Sequence, residues 1–355
     1  MQYNLIHSYG GQAALAYPTF AGTPNQDCMI ARINNLYTLH TNSFSGECME
    51  TISCIFDCKA PSTIVINESG YSGNKCLKCA LIYISPRPSL QEVLDIYGHG
   101  DAHISAQSHI NQSYFKHLHN VHTLNIIKQY KKNGKILEIG AGGGFFLAQA
   151  QKENFEPYAI ELNPAQASFI ADKHKIPCEE KTFSLSSFGS TKFDIIYHSD
   201  VISHLHDPHT AFLMMHEKLN DDGLLIFETG NLSDVHSRYF SLFKSFQYPD
   251  HLFFFGEENI KQLLDRTDFA FKKIYCYSIV PHLIVLKIIQ ALSKKETHQK
   301  NEQGVPLKKD MKKNLIKDFL KDTYHIMLYF LRYKIGALLP KKNRPQTIIV
   351  IAQKR

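Results

Sequence analysis

Residues 135–146 read KILEIGAGGGFF, and this stretch decides the fold. A short apolar run carries Glu138 and ends in a glycine-dense turn where Gly140, Gly142 and Gly144 alternate. A helix-like run, FFLAQAQKEN, follows at once. Strand, glycine turn and helix in that order make a nucleotide-type cofactor site, where backbone must come very close to a ligand. Glycine serves there because a Cβ would block the approach and because such turns often need positive φ. Two common sites are excluded. A dinucleotide fingerprint needs its third glycine where Phe145 stands, and a phosphate loop needs Gly-Lys-Ser/Thr where Phe145 and Phe146 stand.

A carboxylate inside the strand would repel a pyrophosphate, so Glu138 suits a cationic, phosphate-free ligand. S-adenosylmethionine, with a sulfonium, an ammonium and no phosphate, has that chemistry. Working outward, PYAIEL is a second strand ending in Glu161, 23 residues after Glu138. An acidic residue there accepts hydrogen bonds from ribose hydroxyls. Asn163-Pro164 opens the next helix, with Pro at its first turn. IPCEE, FDIIYHSD, GLLIFETGN and AFKKIYCYS read as further strands, separated by DPHTAFLMMHEKL and GEENIKQLLDRTDF as helices. This rhythm predicts an α/β fold: a doubly wound, mostly parallel, seven-stranded Rossmann-like sheet with ligands at the strands' carboxyl ends. PQTIIVIAQKR closes the chain as one more strand.

The 355 residues are 44% hydrophobic and 20% charged, which describes an ordinary globular chain and excludes a disordered one. The net charge of +6 lies largely beyond residue 290. The N-terminus MQYNLIHSYGG shows no secretory signal. IVPHLIVLKIIQAL and HIMLYFLRYKIGALLP are interrupted by His282, Lys287, Arg332 and Lys334, short of the roughly 18–20 apolar residues a span needs. A cytoplasmic protein with reduced thiols is expected.

Residues 1–48 carry no period and read as an irregular extension, dispensable if the functional chain starts near Met49. Residues 49–100 form a small lobe with Cys54, Cys58, Cys76 and Cys79 in two knuckles, C-x-x-x-C and C-x-x-C. Four thiolates so paired suit a structural tetrahedral zinc; four unrelated thiols are the alternative, and Cys48 could replace a ligand. Cys28, Cys178 and Cys276 read as isolated structural thiols. Ser89 and Glu92 form a capping box for a short helix. His99, His103, His109, His117, His119 and His122 do not read as sharing one helical face, so no metal is expected there. Residues 101–279 would be the catalytic domain, 280–345 a basic helical insertion and 346–355 the last strand.

Residues 135–278 resemble a class I S-adenosylmethionine-dependent methyltransferase. LEIGAGGGFF is similar to that family's first motif and AIELNP to its acidic second-strand motif. FDIIYHSDVISHLHDP is similar to the fourth strand and its loop, with Ser203 where Glu is usual. YPDHLFFFGEENIKQLLDRTDF resembles a later segment, with Asp268 replacing a Gly. CLKCALIYISPRPSLQEVLDIY resembles a zinc-knuckle lobe found ahead of some of these enzymes, many tied to sugar or glycan modification. The tail IGALLPKKNRPQTIIVIAQK fits the same subgroup. The resemblance implies that Glu138, Gly140, Gly142 and Gly144 line the methionine and ribose. Glu161 would hold the ribose hydroxyls and Leu162 would flank the adenine, with an adenine contact between Glu180 and Phe183. His198 and Asp200 would follow the fourth strand, where cofactor and substrate meet.

Methyl transfer to oxygen or carbon usually needs a base, and a histidine of near-neutral pKa fits. His251 in PDHLFFF and His204 in SHLHDP are the candidates; for His204 a purely structural role is the alternative. His206 and His209 read as surface residues. The expected acceptor is a small or carrier-linked molecule, plausibly a sugar or glycan precursor. A quinone or lipid-like O-acceptor, or a catalytically inactive binding protein of the same fold, stay open. No nucleic-acid partner is expected, and the basic C-terminal helices suit a peripheral membrane contact.

Overall fold

The computed structural model of the protein describes residues 49–93, 113–296 and 323–355. Expectations for residues 1–48, and for Cys28, Cys48, His99, His103 and His109, lie outside the described residues. Five short strands come first among the described residues: β1 (Met49–Glu50), β2 (Ser62–Glu68), β3 (Tyr71–Cys76), β4 (Ile82–Ile84) and β5 (Arg87–Pro88). Helix α1 (Ser113–Ile127) leads to β6 (Gly134–Ile139), α2 (Phe145–Lys152), β7 (Phe155–Ile160), α3 (Pro164–Phe169), β8 (Cys178–Glu179), β9 (Phe193–Ser199), α4 (Pro208–Lys218) and β10 (Leu219–Gly230). Then come β11 (Phe253–Phe254), α5 (Glu257–Arg266), β12 (Phe269–Ser278), α6 (Val280–Glu296) and β13 (Gln346–Lys354), with residues 323–338 helical before β13.

The main sheet has seven strands in the order β12-β13-β10-β9-β6-β7-β8. Strands β6 to β10 run parallel, and β13 inserts antiparallel between β10 and β12. Each central strand alternates its side chains between two buried faces, as a sheet covered on both sides requires. In β9, Ile195 and Tyr197 enter one core, while Ile196 enters the other with Phe212 and Phe227. Local chemistry sets the helix starts. Asn163 Oδ1 accepts from the amides of Ala165 and Gln166 at 3.1 and 3.2 Å, with Pro164 at the first position of α3. Asp207 caps α4 in the same way, accepting from the Thr210 amide at 3.1 Å. Asp268 adopts φ 59°, the left-handed turn that Gly fills most easily and Asp tolerates. Asn220–Gly223 is a bulge within β10 and not a turn ahead of it, because Leu219 already pairs with Phe193 of β9.

The lobe has its own four-stranded sheet, β11-β4-β3-β2. Its outer strand β11 comes from the far side of the chain, pairing Phe253 with Tyr83 and Phe254 with Ile82. The expected capping box forms: Glu92 Oε2 accepts from the Ser89 amide at 2.9 Å, and the Glu92 amide donates to Ser89 Oγ at 3.4 Å. Lys75 Nζ donates to the Ser233 carbonyl at 2.8 Å and Arg87 Nη1 to the His206 carbonyl at 2.7 Å, so polar ties join lobe and sheet domain. His206 is therefore not a surface residue. It lies mostly buried against Arg87 and Glu50, whereas His209 is exposed. Among the described residues no helix is long and apolar enough to cross a membrane.

Candidate active site

At the carboxyl end of β6 the chain turns through Gly140, Gly142 and Gly144, all with positive φ. The Gly140 amide donates to the Ile160 carbonyl at 2.8 Å, which ties the turn to β7. Glu161, fully buried, lies beneath the turn: Oε2 accepts from the Gly142 amide at 2.7 Å and Oε1 from the Asn163 amide at 2.8 Å. At Gly144 an added Cβ would meet Ile170 Cγ1 at 2.8 Å, and helix packing there demands glycine. At Gly142 an added Cβ would meet nothing within 4 Å. The turn thus borders open space at Gly142. Glu138 is buried beside it and Leu162 is partly exposed at its rim. Phe183, by contrast, is wholly in the core.

At the end of β9, Asp200 takes φ 55°, and its amide donates to the Glu228 carbonyl at 2.9 Å. Burial pushes its carboxyl up to about 7, against the pull of His204. A short turn of helix, Ile202–His204, then carries His204 into the interior. There Nδ1–H donates to the Asp250 carbonyl at 2.9 Å and meets Asp250 Oδ1 at 3.2 Å, across 46 residues of sequence. Burial alone would depress His204, but the Asp250 carboxylate, with Asp200 behind it, outweighs burial and holds it raised. His251 stands edge-on to His204 with ring centroids 4.7 Å apart. Burial, then the neighbouring His204, pushes His251 down to about 4, so the ring is neutral near pH 7. Its two nitrogens are shielded from solvent, and the Phe246 backbone faces the ring. Both predicted histidines therefore come together, one anchored by a carboxylate and one held neutral by burial.

His198 does not join them. It stacks on Phe227 at 5.0 Å and is pushed by burial to about 3, a core residue. Alternation along β9 puts it on the face of Ile196, packed with Phe212 and Phe227.

A second polar cluster escaped sequence reasoning. His119 and His122 lie one turn apart on α1 and share a face. His119 Nε2 lies 3.2 Å from the buried Glu228 carboxylate, and its Nδ1 contacts the Tyr333 hydroxyl. His122 Nε2 is 2.9 Å from the Tyr277 hydroxyl, and its ring lies against Tyr333 at 4.2 Å. Burial pushes Glu228 far above the usual carboxylate range. The i, i+3 spacing was the available signal, but the partners stand 155 and 214 residues away.

In the lobe, Cys54, Cys58, Cys76 and Cys79 converge, with all four sulfurs within 4.8 Å of one another. Cys54 Sγ lies 3.7 Å from Cys58 Sγ and 3.4 Å from Cys79 Sγ. Four sulfurs around a tetrahedral zinc at about 2.3 Å would stand about 3.8 Å apart, so the donor set fits with little movement. Hydrogen bonds from Cys54 hold the Cys79 thiol down to about 5. Cys178 and Cys276 are apart from this cluster and half-buried.

Residues 110–273 match the model of a family described as a methyltransferase domain. No curated protein matches the chain. Among solved structures, the Haemonchus contortus phosphoethanolamine N-methyltransferase 2 in complex with S-adenosyl-L-methionine is similar at 17% identity and TM-score 0.43, over 77% of this chain and 62% of that one. An S-adenosylmethionine-dependent methyltransferase from Archaeoglobus fulgidus matches at 17% identity and TM-score 0.40, over 67% and 93%. The [4+2]-cyclase SpnF matches at 13% identity and TM-score 0.42, over 66% and 80%. Likeness this distant leaves the acceptor to this chain's own residues.

Proposed function

Given that the chain carries a class I S-adenosylmethionine-dependent methyltransferase domain, we propose that it methylates a small or carrier-linked acceptor, with a sugar or glycan precursor as the favoured class. The sugar class rests on the resemblance of the cysteine lobe and the tail. When bound, S-adenosylmethionine supplies an electrophilic methyl group on a sulfonium. Glu138 and the amides of the Gly140–Gly144 turn hold its methionine and ribose side. Glu161 would take the ribose hydroxyls, Leu162 would flank the adenine, and Asp200 would face the reacting end.

The observation that carries the reading on the acceptor side is the neutral His251 ring, edge-on to the carboxylate-anchored His204 at 4.7 Å. An acceptor hydroxyl, or an acidic C–H, would pass its proton to that ring as its bond to the methyl carbon forms and the sulfonium–methyl bond breaks, leaving S-adenosylhomocysteine. His204, its Nδ1–H fixed on Asp250, supports that ring edge-on and keeps it from turning. Alignment in such a site supplies on the order of 7–11 kcal/mol, and the base roughly 10²–10⁴-fold. Zinc held by the four cysteines would be structural, a closed set with no open position for chemistry.

Isothermal titration of S-adenosylmethionine tests the cofactor half, and absence of binding ends the reading. Formation of S-adenosylhomocysteine with cell extract tests turnover; its absence favours the inactive binding protein. Exposed Ile284, Ile288, Phe330 and Leu338 on the C-terminal helices favour a second reading, a lipid-linked acceptor met at a membrane surface. Flotation with anionic liposomes separates the two, because an enzyme of soluble sugars stays in the supernatant.

A further inference from the structure

We propose that Glu68, at the tip of the lobe's hairpin, is a positioning residue for His251, so that the cysteine lobe sets the geometry of the base. This rests on the reading of His251 as that base. Strands β2 and β3 meet at a tight turn through Ser69 and Gly70, both at positive φ, which presents Glu68 at the hairpin's end. Its carboxylate collects three donors from one short segment: Ser245 Oγ at 2.8 Å and the Tyr248 amide at 3.1 Å on Oε1, and the Phe246 amide at 2.8 Å on Oε2. These partners lie 177–180 residues downstream.

The held segment leads straight to the base. The His251 amide donates to the Gln247 carbonyl at 3.0 Å, closing a turn whose far end Glu68 grips. The next residue is fixed from both sides: the Leu252 amide donates to the Ser203 carbonyl at 2.7 Å, and the Ile84 amide donates to the Leu252 carbonyl at 3.0 Å. Tyr248 lies flat against the hairpin at Gly73, where any Cβ would overlap its hydroxyl. A carboxylate accepting backbone amides makes charge-assisted bonds, stronger than neutral ones. The groups facing the His251 ring are His204, Asp250, the Phe246 backbone and Glu68, and the Glu68 charge favours the protonated ring.

The test compares Glu68→Ala and Glu68→Gln with His251→Ala in the full chain. Hydrogen exchange reads the loop, a histidine NMR titration reads the His251 ring, and S-adenosylhomocysteine formed with cell extract reads turnover. Glu68→Ala is expected to speed exchange at Phe246, Tyr248 and His251 at least ~10-fold and to lower turnover by a similar factor, with S-adenosylmethionine affinity unchanged. Glu68→Gln keeps one oxygen acceptor and removes the charge, so it is expected to regain part of the turnover and move the His251 titration to lower pH. Wild-type exchange, titration and turnover in both variants would overturn the proposal. Full turnover in His251→Ala would instead overturn the base reading, while the exchange and titration results stand independently of it.

Discussion

The two ends of the site are built differently. The proposed cofactor end is local: Glu138, the three glycines and Glu161 fall within one strand-turn-helix-strand unit, and the Glu161 hydrogen bonds close within it. The proposed acceptor end is assembled from distance: His204 follows β9, Asp250 and His251 lie on a later loop, and strands upstream of residue 93 grip that loop. The glycine turn stands at the carboxyl end of β6, beside the switch point between β6 and β9, where open parallel sheets bind ligands. A base needs the opposite, an orientation held from several directions.

The largest expected contrast comes from removing metal from the lobe. Chelation, or Cys76→Ser, should unfold β2–β4 and free the His251 loop, since a lobe this small has little core of its own. Hydrogen exchange should then rise sharply at residues 62–84 and 246–252, while the amides of residues 136–142 stay protected. About one zinc per purified chain is expected; none would break the comparison at its first step.

Next is His251→Ala, expected to lower turnover roughly 10²–10⁴-fold with cofactor affinity unchanged. The pH profile sharpens this. A base works when neutral, so activity should hold from neutral pH downward and fall only on approaching pH 4, well below the ordinary histidine value of about 6.5. The sign for stability follows from linkage. A depressed folded pKa means the unfolded chain binds the extra proton first. The His251 contribution is therefore present above about 6.5 and is lost as pH falls through about 4. His204, held raised, contributes in the other sense: its term is full below about 6.5 and is lost as pH rises through its folded value. Melting curves of His251→Ala and His204→Ala against pH should differ from the parent in opposite windows.

On the cofactor side, Gly142→Val should weaken S-adenosylmethionine binding at least ~10-fold by titration and leave the lobe's exchange unchanged. Left-handed backbone costs a non-glycine residue about 1–2 kcal/mol, so a modest loss of melting temperature is also expected. The smallest effect should come from Tyr333→Phe. It removes one hydroxyl from His119 and leaves the ring packed on His122, a loss of about 1 kcal/mol by denaturant unfolding.

Much of the fold was legible. The apolar strands, the Pro164 and Pro208 helix starts and the cysteine pairs are short-range signals, each carried by neighbouring residues. His198 shows the limit. It lies within β9, not after it, and stacks on Phe227 in the core, because only the packing of the sheet shows where the strand ends. His119 and His122 show it again: their spacing was plain, but only the return of the chain through Tyr277 and Tyr333 turns two histidines into a buried network.

The sequence by itself determined the α/β alternation and the glycine turn, since adjacent residues settle strand, turn and helix through backbone conformation alone. Only the tertiary structure decided that β11 joins the lobe, that Glu68 grips the loop of His251, and that His204 rests on Asp250. Those contacts depend on how far-separated segments pack, and no local pattern records their partners.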